Sequence, residues 1–148
     1  MSDSWHRHLL ETPESIGALL DRVHSVAVLG IKPADDPGQA AWYVPEYTQR
    51  AGLQVIPVPV YFPDQTEILG ERVYRTVAAI PGPVDLVNVF RRSKDVLAHV
   101  DDIIAKKPGA VWLQLGIRND EAAERWARAG IDVVQDRCLL VELQDRGR

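Results

Sequence analysis

Residues 25–44, SVAVLGIKPADDPGQAAWYV, run from a short apolar segment through a polar, proline-broken loop into a stretch with helical character. Val26 to Leu29 are apolar and end on Gly30. An apolar β-run that stops at a glycine and is followed by a helix opens a nucleotide-binding βα unit. The loop, however, offers only Gly30 and Gly38, so the spacing G-x-G-x-x-G is missing, and Lys32 stands where a dinucleotide fingerprint would rely on glycine.

Working outward, four more β-branched-rich runs follow: LQVIPVPV (53–60), VDLVNVF (84–90), AVWLQLG (110–116) and IDVVQD (131–136). Most lack polar alternation, the mark of strands buried on both faces of a parallel sheet. Between them lie helical patterns. In SKDVLAHVDDIIAKK (93–107), Val96, Leu97, Val100, Ile103 and Ile104 share one stripe, with Ser93 as the expected N-cap. NDEAAERWARAG (119–130) begins on a capping Asn119 and stops at Gly130. TPESIGALLDRV (12–23) has Thr12 as cap and Pro13 at its first position. A helix is expected over 39–51, with Pro45 arguing for an irregular or late first turn, and TVAAI (76–80) could make one short helical turn. Alternation at this spacing predicts right-handed βαβ units: an α/β, Rossmann-like, doubly wound parallel sheet of about five strands with helices on both faces.

The chain has 148 residues, enough for one domain, and residues 1–11 read as a flexible N-terminal tail. With 46% hydrophobic and 26% charged residues it has the composition of a globular protein, and a net charge of −4 gives no basic field for nucleic acid or membrane. No apolar run reaches spanning length, and the first residues lack the apolar core of a signal peptide, which together point to the cytoplasm. The one cysteine, Cys138, excludes an internal disulfide, and no Cys/His cluster suggests a metal.

Ligands of open parallel sheets lie beyond the carboxyl ends of the strands. Four of the five runs are followed by a basic residue: Lys32, Arg91 with Arg92, Arg118, and Arg137. That pattern suits a ligand with several negative charges. Each arginine taken singly could equally be ion-paired at the surface, since Asp35, Asp36, Asp64, Asp120 and Asp136 occupy the same loops. NAD is disfavoured twice, by the missing glycines and by a second run that ends in Pro57, Val58, Pro59 and Val60 with no acid before Asp64 to hold a ribose. An apolar shelf of this kind suits an adenine face or a long uncharged arm. Cys138 has two readings, a thiol favoured as thiolate by Arg137 and able to exchange with a ligand thiol, or a small core residue. His6, His8, His24 and His99 read as structural or solvated rather than catalytic, and no Ser-His-Asp arrangement emerges.

The segments VAVLGIKP, AGLQVIPVPV, EILGERVYRTVAAIPGPVDLVNVFRRS and VWLQLGIRNDEAAERWARAGIDVVQDRC, with the VEL that follows, resemble the stand-alone CoA-binding protein family. That family is similar to the N-terminal CoA-binding domain of the succinyl-CoA synthetase α subunit. The resemblance runs from about Ile16 to Leu143 and is most specific between Pro83 and Cys138. It implies a Rossmann-like domain with coenzyme A, or an acyl-CoA, across the strand ends. Gly30, Ile31, Lys32 and Pro33 would meet the phosphates, and Pro57 and Val58 the adenine. Val89, Phe90, Arg91 and Ser93, with Gln114, Leu115 and Gly116, would border the rest of the cofactor, and Arg137 and Cys138 complete the candidate set. The synthetase also needs a second domain with a phosphorylatable histidine, so the resemblance implies a carrier, sensor or accessory module without catalysis of its own, to which a protein partner could belong. The rival reading is a small oxidoreductase or acyl-CoA-processing enzyme with an atypical loop.

Overall fold

The computed structural model describes residues 4–148. After a 3-10 helix at Ser4–His8, the elements are α1 (Pro13–Asp21), β1 (Ser25–Leu29), α2 (Ala40–Arg50), β2 (Gln54–Val58), a ribbon of β3 (Glu67–Ile68) and β4 (Glu71–Arg72), and β5 (Leu86–Val89). A 3-10 segment at Ser93–His99 then leads into α3 (Val100–Lys106), β6 (Ala110–Leu113), α4 (Asp120–Arg128), β7 (Asp132–Val134) and α5 (Leu139–Asp145). The five main strands form one sheet in the order β2-β1-β5-β6-β7, every pair parallel, so the fold is α/β and Rossmann-like.

Strand residues alternate between two apolar layers, which explains why the runs show no polar alternation. Ala27, Leu29, Val87, Val89, Val111 and Leu113 face α3 and α4, where Val100, Ile103 and Trp126 are fully buried. Val26, Val28, Leu86, Trp112 and Val134 face the other way, onto Ile16, Leu19 and Leu20 of α1, Val44 of α2 and Leu139 and Leu143 of α5. Both faces being covered, the sheet excludes water from both sides.

Several sequence expectations change in detail. The stripe over 93–107 is a 3-10 turn followed by a short α-helix, and Ser93 is not its cap: its hydroxyl instead accepts the Arg118 amide at 3.0 Å. Residues 76–80 make a hydrogen-bonded turn, Ile80 N–H to Val77 O, rather than a helix. The helix at 40–50 keeps Pro45 inside it and begins without the delay expected. Proline leaves the carbonyl four residues back without its helical donor, and here that carbonyl, Ala41 O, accepts the Lys32 amide at 3.1 Å. Within the N-terminal stretch read as a tail, residues 4–10 are docked: Leu9 bridges Val133 in parallel, the Leu10 amide donates to Val133 O at 2.8 Å, and His8 Nδ1 lies 2.8 Å from Asp132. Residues 1–3 lie outside the described part. Among the described residues no helix is long and apolar enough to cross a membrane, and no cluster of three or more His, Cys, Asp or Glu could hold a metal.

Candidate functional site

The strand order reverses between β1 and β5, because β1 connects outward to β2 on one side while the chain later returns to β5 on the other. A crevice forms at such a switch point. Its floor is set by Gly30, whose φ is +88 and whose missing Cβ would lie 2.2 Å from the Phe90 carbonyl oxygen. Any side chain here would collide with the β5 backbone, so glycine at 30 is what lets the two strand ends close up.

Above this floor lies a cleft of about 610 Å³. Of the candidates named from the sequence it gathers Gly30, Ile31, Lys32, Phe90, Arg91, Ser93, Gln114, Leu115 and Gly116 on its walls. Six others do not reach it. Pro33 is buried beneath the loop, and Pro57 and Val58 lie inside β2 with their side chains in the core. Val89 is the last residue of β5 and fully buried. The β2 end delivers its contribution later, through Val60, Tyr61 and Phe62. Arg137 turns toward Glu142 (3.6 Å) and the Glu11 carbonyl (3.4 Å), and Cys138 is the half-buried N-cap of α5, packed against the α1–α5 layer.

The strand-end cations therefore divide into two groups. Lys32, Arg91 and Arg92 belong to the cleft. Arg118 and Arg137 line a separate hollow of about 520 Å³ between the N-terminal segment, α4 and β7, where Asp120, Glu124 and Asp136 share the walls. Each cation of the cleft has its own anchoring. Lys32 is 3.6 Å from Asp36, a loose and partly solvated pair. Arg92 bonds Asp95 at 2.9 Å and holds that carboxyl below its ordinary range. Arg91 is mostly buried: its Nε donates to His99 Nε2 at 3.1 Å, and its Nη1 donates to the Tyr61 hydroxyl at 3.4 Å, with the guanidinium 5.6 Å from that ring's centre. Burial first, and then the charge of Arg91, push the His99 imidazole below its usual value. The hydrogen bond from Arg91 and then its charge lower the Tyr61 phenol.

The N-terminus of α2 opens into the same cleft through Gln39, Ala40 and Ala41. It has no side-chain cap and no acid in its first turn, and the Ala40 and Ala41 amides have no partner among the described residues. Free amides and the helix dipole make this an anion-binding end, with Lys32 beside it. The opposite wall is apolar. Tyr61 and Leu115 are exposed there, and Val60, Phe62, Phe90 and Ile117 flank them. Phe62 holds φ at +63, a left-handed conformation costing a non-glycine residue about 1 kcal/mol. Arg75 compensates by donating to the carbonyls of Tyr61, Phe62, Pro63 and Gln65, pinning the loop. Sequence reading missed this aromatic loop and the α2 terminus. The dipeptide Tyr61-Phe62 after a proline-rich run was the available signal, since aromatic residues in a strand-end loop have no core position to fill.

A curated relative is the uncharacterized protein YneT of Bacillus subtilis (strain 168), 32% identical over 126 residues, covering 85% of this chain and 90% of that protein. A solved structure from Thermus thermophilus is 37% identical, with a TM-score of 0.83 over 91% of this chain and 98% of that one. A dinucleotide-forming acetyl-coenzyme A synthetase 1 from Ca. Korarchaeum cryptofilum, in complex with phosphate and ADP, shares the fold at 23% identity and a TM-score of 0.61, this chain matching 25% of its length. The sequence model of the CoA binding domain matches residues 24–144, which contain all five strands and every wall of the cleft. On that match the chain belongs to the CoA-binding domain family.

Proposed function

We propose that this protein binds coenzyme A or an acyl-CoA in the cleft at the β1–β5 switch point, as a carrier, sensor or accessory module with no catalysis of its own. The observation that carries the reading is the division of the cleft into a cationic, amide-rich end and an apolar wall. At one end are Lys32 and the uncapped α2 terminus; on the other side are Val60, Phe62, Leu115 and Ile117, with Arg91 held against Tyr61 of that wall. Coenzyme A has the same division, with a pyrophosphate and a 3′-phosphate at one end and an uncharged pantetheine arm at the other. Membership in the CoA-binding domain family supports the same ligand. In this reading Gly30 and Ile31 lie under the pyrophosphate, Lys32 and the Ala40 and Ala41 amides bind its oxygens, and the Arg91 guanidinium supplies a second charge. Phe90, Ser93, Leu115 and Gly116 border the arm.

Calorimetric titration with CoA, 3′-dephospho-CoA and NAD tests it. Saturable CoA binding, weakened for 3′-dephospho-CoA and absent for NAD, is the expected result. NAD binding without a CoA response would transfer the cleft to the oxidoreductase class. A protein that binds none of the three would leave the proposal without support. Turnover of acetyl-CoA thioester by the purified chain would overturn the non-catalytic part alone.

A further inference from the structure

Two polar side chains interrupt the apolar layers of the sheet close to the cleft: Asn88 in β5, which is fully buried, and Gln114, just past β6 and 4% exposed. A buried amide in such surroundings is costly unless its polar atoms are paired. Gln114 Oε1 is paired twice. It accepts the Leu139 backbone amide at 3.2 Å and the Asn88 Nδ2 at 3.3 Å. The Leu139 amide can only donate, so it decides which end of the carboxamide faces the core. Oε1 is held inward, and Nε2 is left on the other side.

That Nε2 makes no hydrogen bond among the described residues, and it is not one of the sealed, unpartnered atoms of the interior. Gln114 itself lines the cleft. The side chain is thus a buried, rigidly oriented donor whose only remaining partner must come from the cleft. Asn88 acts behind it. Its Nδ2 also reaches toward the Trp112 carbonyl at 3.4 Å, and its own Oδ1 stays unpartnered in the core. Apart from that contact with the Trp112 carbonyl, Asn88 makes no other side-chain bond among the described residues, and orienting Gln114 is the role the geometry gives it.

We propose that Gln114 selects the ligand's uncharged arm, its Nε2–H donating to a neutral carbonyl oxygen. The proposal rests on the CoA reading and deepens it. A fixed neutral donor matches an amide or thioester carbonyl, and nothing about it favours a phosphate, which the cationic end already serves. The carbonyl can come from a pantetheine amide, present in every CoA species, or from the thioester, present only when an acyl group is loaded. Asn88 is a positioning residue in this scheme.

The test uses the full chain and three probes: CoA, acetyl-CoA and adenosine 3′,5′-bisphosphate, which lacks the arm. Gln114→Glu keeps an oxygen for the Leu139 and Asn88 donors and replaces Nε2–H with an acceptor. Gln114→Met removes the donor without adding charge, and covers the case in which the buried carboxylate prevents folding. Thermal unfolding of each variant establishes that it is folded. The expected result is a loss of roughly tenfold or more in affinity for an arm-bearing ligand, with adenosine 3′,5′-bisphosphate unchanged. Equal losses for CoA and acetyl-CoA assign the bond to a pantetheine amide; a loss confined to acetyl-CoA assigns it to the thioester. CoA and acetyl-CoA affinities unchanged in both folded variants would overturn the proposal while the CoA reading stands. An equal loss of all three probes would also overturn it, because the effect would then be on the phosphates. A wild-type chain that binds none of the probes overturns both.

Discussion

At the scale of single residues, Lys32 and Arg91 have different freedoms and so different expected effects. Lys32 is a third exposed and only loosely paired with Asp36, so it can turn to a ligand without breaking a buried bond. Lys32→Ala should leave stability unchanged within about 0.5 kcal/mol. It should weaken CoA by roughly tenfold or more, since a charge-assisted bond contributes about 1.5–3 kcal/mol. Calorimetry of the variant with CoA and 3′-dephospho-CoA identifies the phosphate: the variant's loss disappears for the ligand lacking the group Lys32 holds. Arg91 is locked instead, and the lock includes a titratable partner. The Arg91 Nε–H bond requires an unprotonated His99 Nε2, and burial and Arg91 both lower the His99 pKa, although Asp102 and Asp95 act in the opposite sense. The unfolded chain therefore binds a proton more readily than the folded one. The His99 contribution is complete above about pH 6.5 and is lost as pH falls through the lower folded value. Melting curves between pH 7.5 and 5 should show the wild type losing stability more steeply than His99→Gln, which keeps an acceptor but does not titrate. Parallel curves would mean that His99 takes up its proton as readily in the folded chain as in the unfolded one.

At the scale of elements, α2 shows what periodicity can and cannot reveal. Its existence was legible as a helical stretch between two apolar runs, and the five strands were legible because two-sided burial leaves long apolar runs. The role of Pro45 was not, since it depends on a carbonyl finding a donor in a loop nine residues earlier in the chain. The Lys32 amide takes the Ala41 carbonyl, and so the proline fastens the loop after β1 to the helix that faces it. Ser93 was illegible for the same reason: its hydroxyl bonds across to the Arg118 amide, joining the loops after β5 and β6 instead of capping its own segment. The loops directly after β1, β5 and β6, singled out from the sequence, line the cleft, whereas β2 keeps Pro57 and Val58 in the core and its reach into the cleft begins at Val60. Pro45→Ala makes the linkage measurable. It gives the helix back its donor to Ala41 O in competition with Lys32, so helix stability should rise or stay level while the Lys32 amide exchanges faster with solvent and CoA affinity falls several-fold. Faster exchange without loss of affinity would mean that the loop is ordered by the ligand and not by the helix.

At the scale of the whole molecule, a parallel sheet of five strands has two edges, and both are covered by segments that belong to no βαβ unit. On the β2 side the chain after β4 closes in, the Tyr74 amide donating to Pro57 O at 3.0 Å. On the β7 side Leu9 and Leu10 supply a short parallel bridge, and His8 and Arg22 converge on Asp132 at 2.8 and 2.7 Å. Uncovered edges invite pairing with other chains. A two-residue apolar island such as Leu9-Leu10 carries no periodicity, and its partner lies more than a hundred residues away, so its docking could not be read from local pattern. Removing residues 1–10 should therefore expose the β7 edge and take away two partly buried leucines packed on opposite faces of the sheet. At about 1 kcal/mol for each half-buried leucine the loss is about 2 kcal/mol, or roughly 4–8 °C in Tm for a chain of this size. Aggregation at lower concentration should accompany it. The cleft at the β1–β5 switch point is walled by none of these residues, so CoA affinity of the truncated chain should stay within about twofold of the full chain. Retained affinity with a lowered Tm assigns the segment to edge protection; a parallel fall in affinity would show instead that order at the β7 edge is transmitted through β6 to Gln114 and the apolar wall of the cleft.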